Sequence, residues 1–352
     1  MEIIACCEDG PVTTGDYRVL VGINTPEVLT GNANVTGGTV LLQPTPVKIG
    51  VKMQQITGVD QKAENFGVVA SMQMEWVDPA LAFSPDTCNC NFKTLTRADF
   101  IKYVDEKGTR WPEFTLFNQQ GNRWNQNQVA VVFSDGRALY LERFSATLQA
   151  PDFDFRRFPF DTQQFYIRFD MLYPEEFYLL TDLPGYSEVG GQLGEEEWVV
   201  IDHDTTISSE TASTQSQTSR FSFGFTANRH LSFYIFRIFV PLAIIIIMSW
   251  IIFFLKDYGK RVEAASGNLL IFIAFNFTIS NDLPRLGYLT LLDSMLVSTF
   301  IVTGLVLIFN VYLKRLEVDG KKNIAHRIDQ YTLWIYPIAY IVAFAVVSYF
   351  FA

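Results

Sequence analysis

Residues 231–255 read LSFYIFRIFVPLAIIIIMSWIIFFL, 25 residues with a single charge at Arg237. About 20 apolar residues at 1.5 Å rise each cross the ~30 Å hydrocarbon layer of a bilayer. An isolated run of this kind also suits a core helix of a large soluble protein. The remainder of the chain decides between the two. Three further apolar stretches, at about 262–281, 286–313 and 331–351, complete it, joined by short polar links. Four in series make residues 231–352 a four-helix membrane domain.

The links orient it. The first carries Lys256, Lys260 and Arg261, and the third carries Lys314, Arg315, Lys321, Lys322 and Arg327. The second carries only Arg285 beside Asp282. Basic residues accumulate on the cytoplasmic side of short loops. Links one and three are therefore expected inside, with the upstream residues and the C-terminus outside. The third link, about 15 residues by this reading, is too short for a cytoplasmic domain.

Upstream, the periodicity changes from helical to alternating. Val47–Ile56, Phe66–Trp76, Gln128–Phe133, Ala138–Thr147, Gln164–Leu172 and Glu197–Ile207 alternate apolar and polar residues, as half-buried strands do. Asp135-Gly136 between two such runs signals a hairpin. Residues 41–230 are thus expected to form an all-β sandwich of about ten strands. Residues 1–40, rich in Gly, Thr and Asn, read as a linker or the remnant of an upstream segment. Ile3-Ile4-Ala5 is too short for the apolar core of a signal peptide, so the chain is expected to be mature or trimmed, or Met1 not its natural start.

Composition excludes several classes. Hydrophobic residues make up 49% of the 352 and charged residues 18%, with mean hydropathy +0.16. An average soluble domain is about 25% charged, so the chain is neither disordered nor wholly soluble. Thirty acidic against 17 basic residues precede position 231, and seven against ten follow it. An acidic outer part repels nucleic acid and attracts cations. Cys6, Cys7, Cys88 and Cys90 are too few for a disulfide scaffold, and Cys88-Asn-Cys90 reads as a loose thiol pair or a strained local disulfide. His203, His230 and His326 are too scattered for one metal. With no nucleophile elbow and no phosphate loop, an enzyme has no residues to stand on, and no cofactor is required.

Ordered motifs then carry a resemblance. Trp76-Val77-Asp78-Pro79-Ala80-Leu81, Trp111-Pro112-Glu113 with Asn118, Phe158-Pro159-Phe160-Asp161-Thr162-Gln163, Pro241 in the first span, and Leu283-Pro284-Arg285 after the second occur in sequence. Together with a sandwich and four spans, they resemble the pentameric ligand-gated ion channels, or Cys-loop receptors, over residues ~45–352. The signature cysteines, which would flank the F-P-F-D loop near Pro151 and Phe165, are absent. That is the pattern of prokaryotic members, as are the L-P-R ending and an Asp in the third helix, here Asp293. The resemblance implies a homopentamer in lipid, in a bacterial inner membrane, with the sandwich in the periplasm and an agonist the sequence does not name.

One face of the second span, taken at helical spacing, reads Glu263, Gly267, Leu270, Ala274, Phe277 and Asn281. Packed against neighbours in lipid, Glu263 would cost about 2.5–3.5 kcal/mol at mid-membrane. Facing water removes most of that, and the resemblance assigns this stripe to the pore lining. The alternative is a salt bridge from Glu263 to Lys260 or Arg261 of a neighbour. Five copies of Glu263 would form an acidic ring that favours monovalent and divalent cations over anions. Carboxylates so close repel one another, and either a bound divalent ion or protonation relieves this. Phe277, then Leu270, are the candidate gates, since apolar rings close a pore by dewetting.

The resemblance also places coupling residues where sandwich meets membrane: Asp60 in the first β-turn, Phe158, Pro159, Phe160 and Asp161, the pre-helix Arg229, and Pro284 and Arg285. Phe158 and Phe160 are expected to wedge against the link near Pro284–Leu286, and Asp161 to pair with Arg229. The alternative is plain fold stabilisation. For the agonist site the matching segments supply Trp111, Glu113, Asn118, Asp170, Tyr173 and Arg220. Loop C, Glu210–Ser219, has no aromatic residue and Ser71 stands where the facing subunit often offers one. That argues against an amine ligand, which an aromatic cage would hold. Acidic residues are abundant instead, and Glu195, Glu196, Glu197, Asp202 and Asp204, with Glu263, are candidate Ca²⁺ ligands for modulation by external divalent ions. For each outer cluster, solvated surface charge is the competing reading.

The expected function is a cation-selective ligand-gated channel, with Ca²⁺, protons or a small molecule as the gating or modulating species. Two rivals come from other classes. A membrane-anchored β-sandwich binding protein would need only one span. A secondary transporter would need an internal repeat and broken helices, which the sequence lacks.

Overall fold

In the computed structural model, residues 43–351 are described except 88, 192–196, 213–214, 281–282 and 284–285. Residues 1–42, with Cys6 and Cys7, lie outside the described set, as does Cys88. Cys90 is disulfide-bonded.

Two antiparallel-rich sheets face each other. One carries β3 (Phe92–Thr96), β5 (Gln119–Phe133), β6 (Arg137–Gln149), β2 (Asn65–Val77), β1 (Thr45–Asp60) and β8 (Tyr178–Asp182) in that order, with β9 (Glu188–Val189) paired to β1. The other carries β10 (Trp198–Thr211), β11 (Gln217–Arg229), β7 (Thr162–Met171) and β4 (Phe114–Leu116). The alternation works as expected of a sandwich: Ala138, Tyr140, Glu142, Phe144, Ala146 and Leu148 of β6 all turn inward. Aromatic rings fill the space between the sheets, with Phe165 stacked on Phe225 at 4.8 Å and edge-on to Trp198 at 5.4 Å. The β5–β6 hairpin turns on Gly136 at φ +88°, where a Cβ would meet the Asp78 carbonyl oxygen at 2.6 Å.

Four helices long and apolar enough to cross a membrane come next: Leu231–Phe254, Tyr258–Ile279, Leu291–Val318 and Lys322–Phe351. The first opens a π turn at Ile235–Phe239, with the Val240 N–H reaching the Ile235 carbonyl. Pro241 explains the wider register, because it has no N–H and its ring crowds the carbonyl four residues back. The second helix starts before the apolar run does, because Asp257 caps it by accepting from the Gly259 and Lys260 N–H groups. Thr290 and Asp293 form a capping box that starts the third helix at Leu291, five residues later than the apolar run at 286 suggests. The fourth begins at Lys322, so the third link is three residues rather than about 15. Charged residues end the hydrocarbon span without ending the helix, because their long stems carry the charge out to water.

Candidate functional site

Strand β11 runs directly into the first spanning helix, and its last residue, Arg229, is buried at the junction. Its Nε donates to Asp161 Oδ1 at 2.8 Å and its Nη1 to Glu197 Oε1 at 2.6 Å. The guanidinium lies over the Trp198 ring at 4.2 Å and the Phe158 ring at 4.8 Å. The Tyr234 hydroxyl, in the first spanning helix, donates to the same Glu197 oxygen at 2.9 Å. Gln163 Nε2 donates to the other Asp161 oxygen at 2.6 Å and to the Asp154 carbonyl. The expected pairing of Asp161 with Arg229 is thus present, and both side chains are almost wholly enclosed rather than partly buried.

The F-P-F-D loop between β6 and β7 also holds the third spanning helix by its backbone. The Leu291 N–H donates to the Arg156 carbonyl at 2.8 Å, and the Leu292 N–H to the Phe158 carbonyl at 3.3 Å. These are N-terminal helix groups that have no partner within the helix. The Phe155 N–H donates to the Tyr288 hydroxyl at 3.1 Å. Phe158, joined to Pro159 by a cis peptide, is buried with its ring edge-on to Tyr234 at 5.2 Å, and the half-exposed Phe160 sits 5.8 Å from Phe239. Both rings thus meet the first helix, at Tyr234 and Phe239, while the expected contact with the link near Pro284–Leu286 falls partly on residues outside the described set. Asp60 is exposed and shapes its own turn by accepting from the Lys62 and Ala63 N–H groups. Its neighbour Gln61 reaches the junction instead, donating to Glu197 at 3.3 Å. Pro284 and Arg285 lie outside the described residues. Neither Tyr234 nor Gln61 is signalled by the sequence, since neither follows a period or a motif.

On the second helix, Arg261, Ala265, Asn268, Phe272 and Ile279 are buried against the other helices. Glu263, Leu270, Ala274 and Phe277 are exposed on the opposite side, with Gly267 half-exposed between them. Leu270 is 66% and Phe277 74% exposed, so most of the surface of these two side chains is left uncovered by the described residues. Asn281 lies outside the described residues. Among those described, no ion pair engages Glu263. Arg261 cannot serve it, because its guanidinium is held by Asp329 and by the Leu255 and Phe253 carbonyls.

The segments expected to bind an agonist are partly consumed by the fold. Trp111 is a core residue, edge-on to Phe100 at 5.8 Å and beside Tyr140 at 5.2 Å. Asn118 is buried with its amide donating to the Gln149 and Tyr166 carbonyls and accepting from the Arg168 N–H. Core packing engages the Trp111 ring, and backbone groups engage both ends of the Asn118 amide. Arg220 forks onto Asp170 at 2.6 and 2.7 Å, with Glu210 at 3.3 Å and the Phe117 ring at 3.9 Å. The hydrogen bonds it donates to Asp170 hold the guanidinium above its ordinary pKa. Beside them Tyr173 meets Glu113 at 3.5 Å, and burial pushes the tyrosine hydroxyl upward. Arg220, Asp170, Glu113 and Tyr173 thus form one polar face below loop C.

The outer acidic cluster does not assemble a cation site among the described residues. Glu197 is engaged by Arg229, and Asp202 and Asp204 are exposed on β10. Asp202 accepts from the His203 N–H. Glu195 and Glu196 lie outside the described set.

Comparison with known proteins agrees with this architecture. The neurotransmitter-gated ion-channel ligand binding domain matches residues 38–230. A proton-gated ion channel of Gloeobacter violaceus is 25% identical over 313 residues, covering 88% of this chain and 84% of its own. A gamma-aminobutyric acid receptor subunit beta-4 of Gallus gallus is 23% identical, covering 87% and 62%. An acetylcholine-gated chloride channel subunit of Caenorhabditis elegans is 24% identical, covering 79% and 58%. The chain thus spans less than two thirds of these two receptor subunits. A sandwich with four spanning helices behind it, tied by a buried arginine at their junction, defines a receptor-channel subunit. The chain belongs to the pentameric ligand-gated ion channels of the Cys-loop family, in the prokaryotic form without the signature cysteines.

Proposed function

We propose that this chain forms a homopentameric, cation-selective channel in a bacterial inner membrane, with its sandwich in the periplasm. Ions would pass along the stripe Glu263, Gly267, Leu270, Ala274 and Phe277, continued by Asn281. The observation that carries this reading is the exposed Glu263, without an ion pair among the described residues, on the side of its helix opposite the buried Arg261, Ala265 and Asn268. A carboxylate placed so in lipid is costly, and one facing a water-filled axis is not. Five of them form a ring that attracts cations. Arg261, locked behind the helix by Asp329, leaves that ring its negative charge.

The relatives include a chloride channel and a proton-gated channel, so selectivity and stimulus need separate tests. The reversal potential of currents from reconstituted pentamers in asymmetric NaCl tests selectivity. Reversal near the Na⁺ potential supports the acidic ring; reversal near the Cl⁻ potential removes Glu263 from the pore. For modulation by external Ca²⁺, the Glu263 ring is the site we favour, because the described outer carboxylates, Glu197, Asp202 and Asp204, are engaged or exposed without forming a cluster. Current that does not respond between chelated and millimolar Ca²⁺ would exclude it. Protons relieve the same repulsion, and stepping pH at fixed Ca²⁺ separates the two.

A further inference from the structure

The fourth spanning helix, Lys322–Phe351, is the least buried of the four against the described residues of its own chain and contains Pro337. Proline lacks the N–H that would bond the carbonyl four residues earlier. Here that carbonyl belongs to Leu333. In lipid an orphaned carbonyl has no water to satisfy it, so it must find a donor within the protein. Trp250 of the first spanning helix supplies one: its indole N–H donates to the Leu333 oxygen at 3.0 Å. One turn along, the Tyr336 hydroxyl donates back to the Ile246 carbonyl at 3.0 Å. Deeper toward the link, Asp329 of the same helix binds Arg261 of the second.

We infer that Trp250 is a positioning residue for the fourth helix, holding it by the carbonyl that Pro337 frees. The two residues are complementary halves of one device: the proline creates an acceptor, and the indole occupies it. Because Asp329 lies four residues before Leu333 on the same helix, the bond also sets where Asp329 meets Arg261. It thereby sets the pose of the second helix two residues before Glu263. This last link rests on the channel reading; the bond itself does not.

The test uses the intact pentamer in lipid nanodiscs. Trp250→Phe keeps the ring and removes the donor. Pro337→Ala restores a backbone N–H for the Leu333 carbonyl. If the indole is there for that orphaned oxygen, Trp250→Phe lowers the melting temperature by several degrees in the native background. In the Pro337→Ala background it lowers it by less than half as much. A purely packing role of the tryptophan predicts equal losses in both, and that result overturns the proposal. Should Trp250→Phe fail to assemble, recovery of pentamers in the double variant supports the inference, and failure of both overturns it. The melting cycle needs no current, so it stands apart from the channel reading. In a companion flux assay, Trp250→Phe should alter cation flux and the double variant should return it toward wild type.

Discussion

Arg229 and Asp161 meet at 2.8 Å with neither side chain more than 1% exposed. The first is the last residue of the sandwich, and the second belongs to the loop that receives the third spanning helix. The covalent crossing from sandwich to membrane and the docking of that loop therefore converge on one pair. Glu197 and Tyr234 extend it to β10 and to the first helix.

Removing one half of a buried pair costs about 3–5 kcal/mol when the other charge is left wholly uncompensated, and here the bond from Arg229 to Glu197 offsets part of that. Asp161→Ala is therefore expected to destabilise the pentamer strongly. Replacing both partners with apolar residues, Arg229→Met with Asp161→Leu, should cost less than Asp161→Ala alone. Thermal melting of detergent-solubilised protein checks the order, and a double variant worse than the single one would refute it.

Glu263→Gln removes the ring charge without changing its shape. If Glu263 lines the pore, the cation-to-anion permeability ratio falls severalfold, and the reversal potential in asymmetric NaCl moves toward the Cl⁻ value. An unchanged reversal potential places the carboxylate elsewhere.

Phe277 and Leu270 are the largest apolar groups on the exposed stripe. An apolar constriction closes by expelling water, so a polar group there keeps it wet. Phe277→Ser is expected to raise the resting current, and Leu270→Ser to raise it less. Current recorded before any stimulus measures both, and a silent pair of variants moves the gate off this stripe.

Asp257 is held below its ordinary pKa of 3.8, first by the Gly259 N–H and then by the Lys260 N–H. A carboxyl depressed in the folded state adds stability that is present at neutral pH and is lost as pH falls below 3.8. Asp257→Asn keeps a capping side chain but removes this titration. The variant should therefore lose less melting temperature than wild type between pH 5 and pH 3. Parallel losses would dismiss the cap as the cause.

Much of this protein is legible in the order of its residues. Hydropathy alone locates four spans, because a bilayer core tolerates little charge over 20 residues. Alternation locates the sheets most clearly at β6 and β7, where every second residue is buried in the core. Short β4 and β9 are not legible, since three- and two-residue strands carry no period. The stripe beginning at Glu263 comes from helical spacing, and the exposed side of the second helix carries its described members.

The tertiary structure decided what each polar residue is for. Glu197 reads as one of a run of acidic metal candidates, but the fold brings Arg229, 32 positions later, onto its carboxylate. Trp111 and Asn118 sit in a family binding segment, yet core packing and backbone carbonyls claim them. Trp250 and Pro337 are 87 positions apart in the sequence, and nothing local links an indole donor to a missing amide. Hydrophobicity and period act within one or two turns of chain, so sequence records them directly. A hydrogen-bond partner or a counter-charge is chosen by which elements pack together, and that choice exists only in the folded chain.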